Sequence, residues 1–234
     1  MSAGSAKVAR DPVRHPLFAR CYARLSVTAE TRGGVAAVRH RLLDGLSGRV
    51  IEVGAGNGLN FAHYPGTVSE VVAVEPERLL RRLAVEAAPR ARVPVEVAPG
   101  TAEALPVESG AFDAAVVCLV LCSVRDLPRA LAELRRVLRP GGEVRFFEHG
   151  RGGGRVMRLT QRALDRTVWP PLAGGCHVAR DPVGALREAG FELGPYRRTL
   201  MPESGPKLPT SYCVLGTAWR PATDAAGGAP TGRS

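Results

Sequence analysis

Residues 49–58 read RVIEVGAGNG, a short apolar run followed by a loop that contains three glycines. The run suits one buried strand, and a glycine-rich loop lets the backbone turn sharply and approach a ligand closely. The residues after the loop, 58–64, predict a helix that Pro65 stops. We therefore predict a strand, a tight loop and a helix at this point, with a ligand held against the loop.

The same alternation continues along the chain. Further strands are predicted at residues 71–74, 93–98, 114–119, 143–148, 191–198 and 211–219, and helices at 35–46, 78–88 and 127–138. Asp181 followed by Pro182 indicates another helix start, with Gly190 as its stop. Such alternation predicts an α/β fold, a mostly parallel sheet with helices on both faces. Ligands of these sheets bind at the carboxyl ends of the strands.

Four segments follow from the composition and the periodicity. Residues 1–15 are predicted to be a flexible arm, 16–46 a helical cap, 47–220 the main domain and 221–234 a disordered tail rich in Gly, Ala, Thr and Pro.

Charge and cysteine content exclude several function classes. The net charge is +10, but the arginines are scattered and not interleaved with aromatics, so we expect no nucleic-acid partner. No apolar run approaches the ~20 residues that cross a bilayer, and residues 1–14 lack the apolar core of a signal peptide. Five cysteines without CxxC spacing fit neither a disulfide framework nor a zinc knuckle, so we predict a reduced, cytoplasmic protein without metal.

The later loops carry the remaining candidate motifs. Glu75 ends the second predicted strand, where an acid can accept hydrogen bonds from both hydroxyls of a ribose. A small residue and an acid, Ala102 and Glu103, follow the third strand and suit the edge of an adenine.

Five motifs occur in order: EVGAGNG (52–58), VEP (74–76), GTAEALP (100–106), FDAAVV (112–117) and RRVLRPGG (135–142). This series resembles the class I S-adenosylmethionine (SAM) dependent methyltransferases, in the methyltransferase type 11 branch that includes the quinone methyltransferases. The resemblance implies SAM as cofactor and a Rossmann-like, seven-stranded sheet that ends in an antiparallel hairpin. It places Glu52, Gly54 and Gly56 at the methionine end of SAM. The whole predicted cofactor site is Glu52, Gly54, Ala55, Gly56, Gly58, Asn60, Glu75, Pro76, Thr101, Ala102, Glu103 and Leu119.

A narrower resemblance covers residues up to about 180. Residues 116–124, 147–149, Trp169, Gly175-Cys176 and Arg180 are similar to the thiol S-methyltransferases of the animal endoplasmic reticulum and their bacterial relatives. It implies methylation of a small thiol or of hydrogen sulfide. Those animal enzymes carry an apolar N-terminal anchor that this sequence does not show, so we expect no membrane attachment.

Candidate chemical groups follow from this assignment. His149 is the best candidate for a general base, because it follows the fifth strand and its pKa suits proton transfer near neutral pH. Cys122 follows the fourth strand and is the second catalytic candidate. Tyr22, Trp169, Cys176 and His177 are predicted to line the acceptor pocket; each of these side chains also has a purely structural interpretation.

Three alternatives stay open. The acceptor is a small apolar or quinone-like metabolite methylated on O, N or C; or the protein binds SAM without catalysis. An NAD-dependent oxidoreductase is disfavoured because the third glycine comes one residue early for a dinucleotide loop. The sequence predicts a small-molecule acceptor and leaves the oligomeric state undetermined.

Overall fold

Seven strands form one sheet in the computed structural model, which describes residues 16–32, 34–202 and 206–223. They lie in the order β3-β2-β1-β4-β5-β7-β6, and β7 alone runs in the direction opposite to the other six. The predicted mostly parallel sheet with a terminal antiparallel hairpin is confirmed. The strands are β1 (Gly48–Val53), β2 (Val68–Val74), β3 (Val95–Ala98), β4 (Phe112–Cys118), β5 (Leu138–His149), β6 (Glu192–Leu200) and β7 (Tyr212–Trp219).

Helices surround the sheet. They are α1 (Pro16–Arg32), α2 (Val35–Leu43), α3 (Arg78–Ala87), α4 (Leu127–Val137), α5 (Arg155–Arg166), α6 (Trp169–Leu172) and α7 (Pro182–Glu188). The Asp181 side chain caps α7 by accepting from Gly184 N at 3.2 Å, and Gly190 has a φ of 82°, so the predicted start and stop of α7 are confirmed. Among the described residues, no helix combines the length and apolarity that a membrane span requires.

The hydrophobic core has two halves, one on each face of the sheet. Successive side chains of a strand point to opposite faces, so Ile51 and Val53 join one half while Val50 joins the other. Helices α4 and α7 cover the first face, and α2 and α3 cover the second. Burial on both faces is the reason that β1, β2 and β4 read as continuous apolar runs.

Three local predictions are wrong. Residues 58–64 do not form an α-helix: Gly58 has a positive φ of 78°, and the backbone bonds from Phe61 N to Gly58 O and from His63 N to Asn60 O make only a short 3-10 turn at Phe61–His63. Strand β5 begins at Leu138 rather than at residue 143, since Leu138 already pairs with Phe112 ahead of an irregularity in the ladder. Helices α5 and α6 lie in a stretch for which no element was predicted.

The predicted arm at residues 1–15 and most of the predicted tail, residues 224–234, lie outside the described residues.

Candidate active site

A cavity of about 410 Å³ lies at the carboxyl end of the sheet, where β1, β2, β3 and β4 end. Its volume falls in the range of small-molecule sites, roughly 300–1,000 Å³. Nine of the predicted site residues line it: Tyr22, Gly54, Gly56, Glu75, Pro76, Thr101, Ala102, Glu103 and Leu119.

The glycine loop forms one wall. Gly54 has a φ of 72°, and a Cβ atom on it would lie 2.4 Å from Cγ2 of Val120 in the loop after β4. Gly54 N also donates to Val74 O at 2.8 Å, which fixes the loop on the end of β2. A residue with a side chain at position 54 would strain the backbone, because its φ is positive. Its Cβ atom would also push the glycine loop away from Val120.

The carboxylate of Glu75 lies at the centre of the cavity wall, at the end of β2. Its Oε2 accepts from Gly56 N at 2.8 Å and its Oε1 accepts from Glu77 N at 2.9 Å. Burial raises the pKa of Glu75, and these two backbone donors partly offset that effect. Each oxygen keeps a further lone pair, which fits the two hydroxyls of a ribose.

The loop after β3 forms the far end of the cavity. Thr101 makes an isolated bridge with Ala104, which places Ala102 and Glu103 at the turn. The Glu103 carboxylate accepts from Arg125 N at 2.9 Å, and Arg129 Nε donates to Glu103 O at 2.9 Å. These bonds tie the loop to the start of α4 and leave a small apolar surface at Ala102, consistent with an adenine-binding edge.

The loop after β4 has a strained start and a buried acid beneath it. Leu119 lines the cavity and is the only described non-glycine residue with a positive φ, 60°. The Glu148 carboxylate accepts from Val120 N at 2.8 Å, Leu121 N at 2.9 Å and Cys122 N at 3.2 Å. Burial raises the pKa of Glu148 to about 7 against the effect of these donors. Strain of this kind persists only where the surroundings hold it.

Helix α1 forms the roof. Phe18 and Tyr22 line the cavity and stack with ring centroids 5.7 Å apart. The Phe18 ring packs on Gly174, where a Cβ atom would come within 2.5 Å of it. Burial raises the pKa of the Tyr22 hydroxyl to about 12, so it stays protonated at neutral pH. The cap thus contacts two sides of the cavity at once.

Four predicted cofactor residues lie behind the wall instead of lining it: Glu52, Ala55, Gly58 and Asn60. The Glu52 carboxylate accepts from Asn60 Nδ2 at 2.8 Å and from the Tyr64 hydroxyl at 2.8 Å. Arg39 from α2 donates to Asn60 Oδ1 at 2.6 Å and to Glu30 of α1 at 2.8 Å. This buried chain of polar groups holds the cap and the glycine loop together.

The state of Glu52 predicts a pH effect on stability. Burial raises the pKa of Glu52 from its ordinary value of 4.5 to about 7. Between pH 4.5 and about 7 the folded chain keeps a proton on Glu52 that the unfolded chain has lost. The unfolding free energy therefore falls as pH rises through this range. We expect Glu52→Gln to flatten the decline of unfolding free energy between pH 5 and 7, by up to about 3 kcal/mol.

Urea denaturation at several pH values measures this slope, and Glu70→Gln is the matched control, because the Glu70 carboxylate near the start of β2 is half-exposed. Glutamine can keep both contacts of position 52, accepting from Asn60 and donating to the Tyr64 oxygen. Parallel stability curves for the wild type and the Glu52 variant would contradict the expectation.

The predicted catalytic pair forms part of a buried cluster beside the cavity. The ligand atoms of Cys122, His149 and Cys176 all lie within 4.8 Å of one another, with Cys176 Sγ 3.4 Å from His149 Nδ1. A hydrogen bond from Cys122 is the largest cause that lowers the pKa of Cys176 to about 5; burial opposes it and His149 adds to it. The contacts of the cluster thus lower the pKa of Cys176 and raise that of Cys122.

The structure separates the other two acceptor-pocket candidates. Trp169 packs on the thiol cluster. His177 instead faces a surface depression, with its Nδ1 3.9 Å from the Asp165 carboxylate. His177 N donates to Cys122 O at 2.7 Å, so this residue holds the cluster by its backbone.

Several contributors were not predicted. Phe18, Arg39 and Tyr64 carry no motif, and only their packing reveals them. Glu148 is the last residue of the predicted strand 143–148, and an acid at that strand end was the available signal in the sequence. Cys122, His149 and Cys176 were each predicted as site residues, but they come from three distant segments. No spacing in the sequence therefore predicts that they form one cluster.

Comparisons with known proteins agree with this geometry. A family model described as "Methyltransferase domain" matches residues 51–146. The human thiol S-methyltransferase TMT1B is 35% identical over 64% of this chain, which spans 63% of that protein's length. The C-methyltransferase UbiE of ubiquinone and menaquinone biosynthesis from Syntrophotalea carbinolica is 31% identical over 68% of this chain and 70% of its own length.

A solved structure shows the same fold at lower identity. A SAM-dependent methyltransferase from Thermotoga maritima, described as a possible histamine N-methyltransferase, superposes with a TM-score of 0.63. It is 22% identical, and the match covers 87% of this chain and 98% of that one. The chain belongs to the SAM-dependent methyltransferases, with SAM as its cofactor.

Proposed function

We propose that this protein transfers the methyl group of SAM to the sulfur of a small thiol or of hydrogen sulfide. One observation carries the proposal: a cluster of two cysteines and a histidine adjoins the cavity. Ser123 and Gly175 line the cavity, and each is the chain neighbour of a cluster cysteine, Cys122 and Cys176. The likeness to the human thiol S-methyltransferases supports the same acceptor.

Most of the chain's task in this reaction is alignment. SAM supplies a methyl group activated by the positive charge on its sulfur. The acceptor sulfur forms a bond to the methyl carbon, the carbon–sulfonium bond breaks, and its electron pair stays on the departing sulfur. Holding the two reactants in line can contribute about 7–11 kcal/mol to the rate.

Three parts of the site share this alignment. Glu75 fixes the ribose, the loop at Leu119 places the methyl end, and Phe18 with Tyr22 excludes water from above. A thiol has a pKa of about 8.5, so it ionises near neutral pH without a strong base. The proton that the acceptor loses passes to solvent, so a thiol acceptor does not require His149 as a base.

Transfer of labelled methyl from SAM to a panel of acceptors tests the proposal. The panel holds hydrogen sulfide, an alkyl thiol, a phenol, an amine and a quinol. We expect the thiols to be methylated at least about 100-fold faster than the other acceptors, because only a thiolate forms readily without a dedicated base.

Two results would redirect the assignment. Faster methylation of the quinol would favour C- or O-methylation, as the likeness to UbiE allows. Cofactor binding without turnover of any acceptor would favour a SAM-binding protein without catalysis.

We also propose that the protein works in the reducing cytoplasm. All five cysteines are free, and the cluster pair would be exposed to oxidation elsewhere.

A further inference from the structure

The buried cluster beside the cavity has the donor set of a metal site. Cys122, His149 and Cys176 come from the loop after β4, the end of β5 and the loop after α6. Two sulfurs and one imidazole nitrogen form the combination that zinc prefers, and three protein ligands leave one position open, as in catalytic zinc sites.

The distances suit a tetrahedral ion. With zinc–sulfur and zinc–nitrogen bonds of about 2.3 and 2.1 Å, neighbouring ligand atoms lie about 3.6–3.8 Å apart. Cys176 Sγ and His149 Nδ1 are 3.4 Å apart, and all three ligand atoms lie within 4.8 Å of one another. Side-chain movements of about 1 Å or less would complete the geometry.

An indole N–H without a partner in the described part of the chain lies beside the cluster, where it could donate to a metal-bound thiolate. Trp169 Nε1 is buried and, among the described residues, has no acceptor within hydrogen-bonding geometry. The indole packs against the cluster formed by Cys122, Cys176 and Val178. Donors of this kind orient and tune ligands from outside the coordination sphere. Two thiolates and a neutral imidazole would also cancel the charge of a divalent ion, which favours binding in a buried place.

Ser123 connects the cluster to the cavity. Its side chain lies 3.5 Å from Cys122 Sγ, and the same residue lines the cavity. Cys122, His149 and Cys176 do not themselves line the cavity, so Ser123 is the residue that lies between the cluster and the cavity.

We propose that Cys122, His149 and Cys176 bind a Zn²⁺ ion whose fourth position takes the sulfur of the acceptor thiol. The metal site stands on the cluster alone, and the thiol at its fourth position rests on the proposed function. The acceptor sulfur replaces water on the metal, and its proton leaves to solvent. Methyl transfer then makes a neutral thioether, a weaker ligand than a thiolate, so the product leaves and water returns.

Titration of the full-length, reduced and chelator-stripped protein tests the site, with Co²⁺ and Zn²⁺ as the probes. We expect one ion per chain, a thiolate-to-cobalt charge-transfer band, and loss of that band when Zn²⁺ is added. Cys122→Ser and Cys176→Ser should each lower Zn²⁺ affinity by more than about 100-fold, and His149→Ala by at least about 10-fold.

Matched controls keep the test interpretable. Cys213→Ala removes another buried thiol and Cys21→Ser an exposed one; both should still bind one ion. SAM binding by the Cys122 and Cys176 variants shows that they fold. Absence of stoichiometric Zn²⁺ binding by the reduced wild type would overturn the proposal. So would a Cys122–Cys176 disulfide as the stable form in a cytoplasmic redox buffer.

The same samples separate this proposal from the proposed function. Addition of an alkyl thiol to the Co²⁺ protein should shift the charge-transfer band as a further sulfur binds. Thiol methylation that persists without any metal would overturn the zinc proposal and leave the function standing. If one ion binds tightly but no thiol is methylated, the metal site stands and the thiol acceptor of the proposed function is overturned.

Discussion

Glu75→Ala is expected to weaken SAM binding by about 100-fold or more. The carboxylate is buried at the end of β2, and each of its oxygens already accepts one backbone N–H. Hydrogen bonds to charged groups contribute about 1.5–3 kcal/mol each, and the two ribose hydroxyls would lose both of theirs. The change also removes the acceptor of Gly56 N, so the glycine loop loses one of the hydrogen bonds that hold it in place.

Isothermal titration with SAM measures the effect. Glu70→Ala is the control, because Glu70 lies on the same strand with its carboxylate half-exposed on Arg49. Glu75→Gln should fall between alanine and wild type: the amide keeps one acceptor oxygen but turns a donor toward a backbone N–H. Unchanged SAM affinity in Glu75→Ala would mean that another carboxylate of the cavity, such as Glu77 or Glu103, binds the ribose.

Much of the fold was predictable because its signals are local. The central strands are buried on both faces and therefore appear as apolar runs, and Asp181 with Gly190 marks both ends of α7. The glycine loop was equally clear, since Gly54 needs a positive φ and lies against Val120. These features depend on a few consecutive residues, so the order of residues is enough to reveal them.

Helix α5 shows why the rest was not predictable. Its apolar residues Val156 and Leu159 are exposed, and its one buried side chain is Gln161. Gln161 accepts from Gly152 N at 2.8 Å and donates to Gly150 O and Pro209 O at 3.2 and 2.9 Å. Asp165 of the same helix accepts from Val178 N and Ala179 N, both at 2.8 Å. These polar bonds join α5 to segments that are distant in sequence, so its position depends on tertiary contacts that its own residues do not reveal.

The site divides in the same way. Residues that touch the cavity from strand ends, such as Glu75 and Leu119, follow from the general location of ligands in these sheets. Glu52 was predicted at the methionine end, yet its carboxylate bonds to Tyr64 and Asn60 behind the wall. Only the tertiary contacts of α2 reveal why, because Arg39 completes the buried chain from a segment without any motif.

Glu148→Ala is expected to have the largest effect on stability. The carboxylate is fully buried and is the acceptor for three consecutive N–H groups after β4. Each unsatisfied buried donor costs about 1–3 kcal/mol, so we expect three of them to lower the unfolding free energy by at least about 3 kcal/mol. Glu148→Gln keeps one acceptor oxygen, so its unfolding free energy should fall by about half as much as that of Glu148→Ala.

Urea denaturation of the SAM-free protein gives these values, with Glu143→Ala as the control on the same strand. The Glu143 side chain is 20% exposed and is bonded to the Arg145 side chain, so its removal leaves no run of consecutive backbone N–H groups without their acceptor. Equal losses from the two alanine variants would mean that the loop is held by its own turn, in which Ser123 N donates to Val120 O at 2.8 Å.

The position of this loop extends the prediction from stability to binding. Val120 packs on Gly54, and Leu119 and Ser123 line the cavity, so the segment that Glu148 holds is itself a cavity wall. We expect Glu148→Gln, which should still fold, to weaken SAM binding as well, because binding must then restore the loop's order. Cys122 is the third residue that Glu148 holds, so this buried acid positions the cofactor wall and the thiol cluster together.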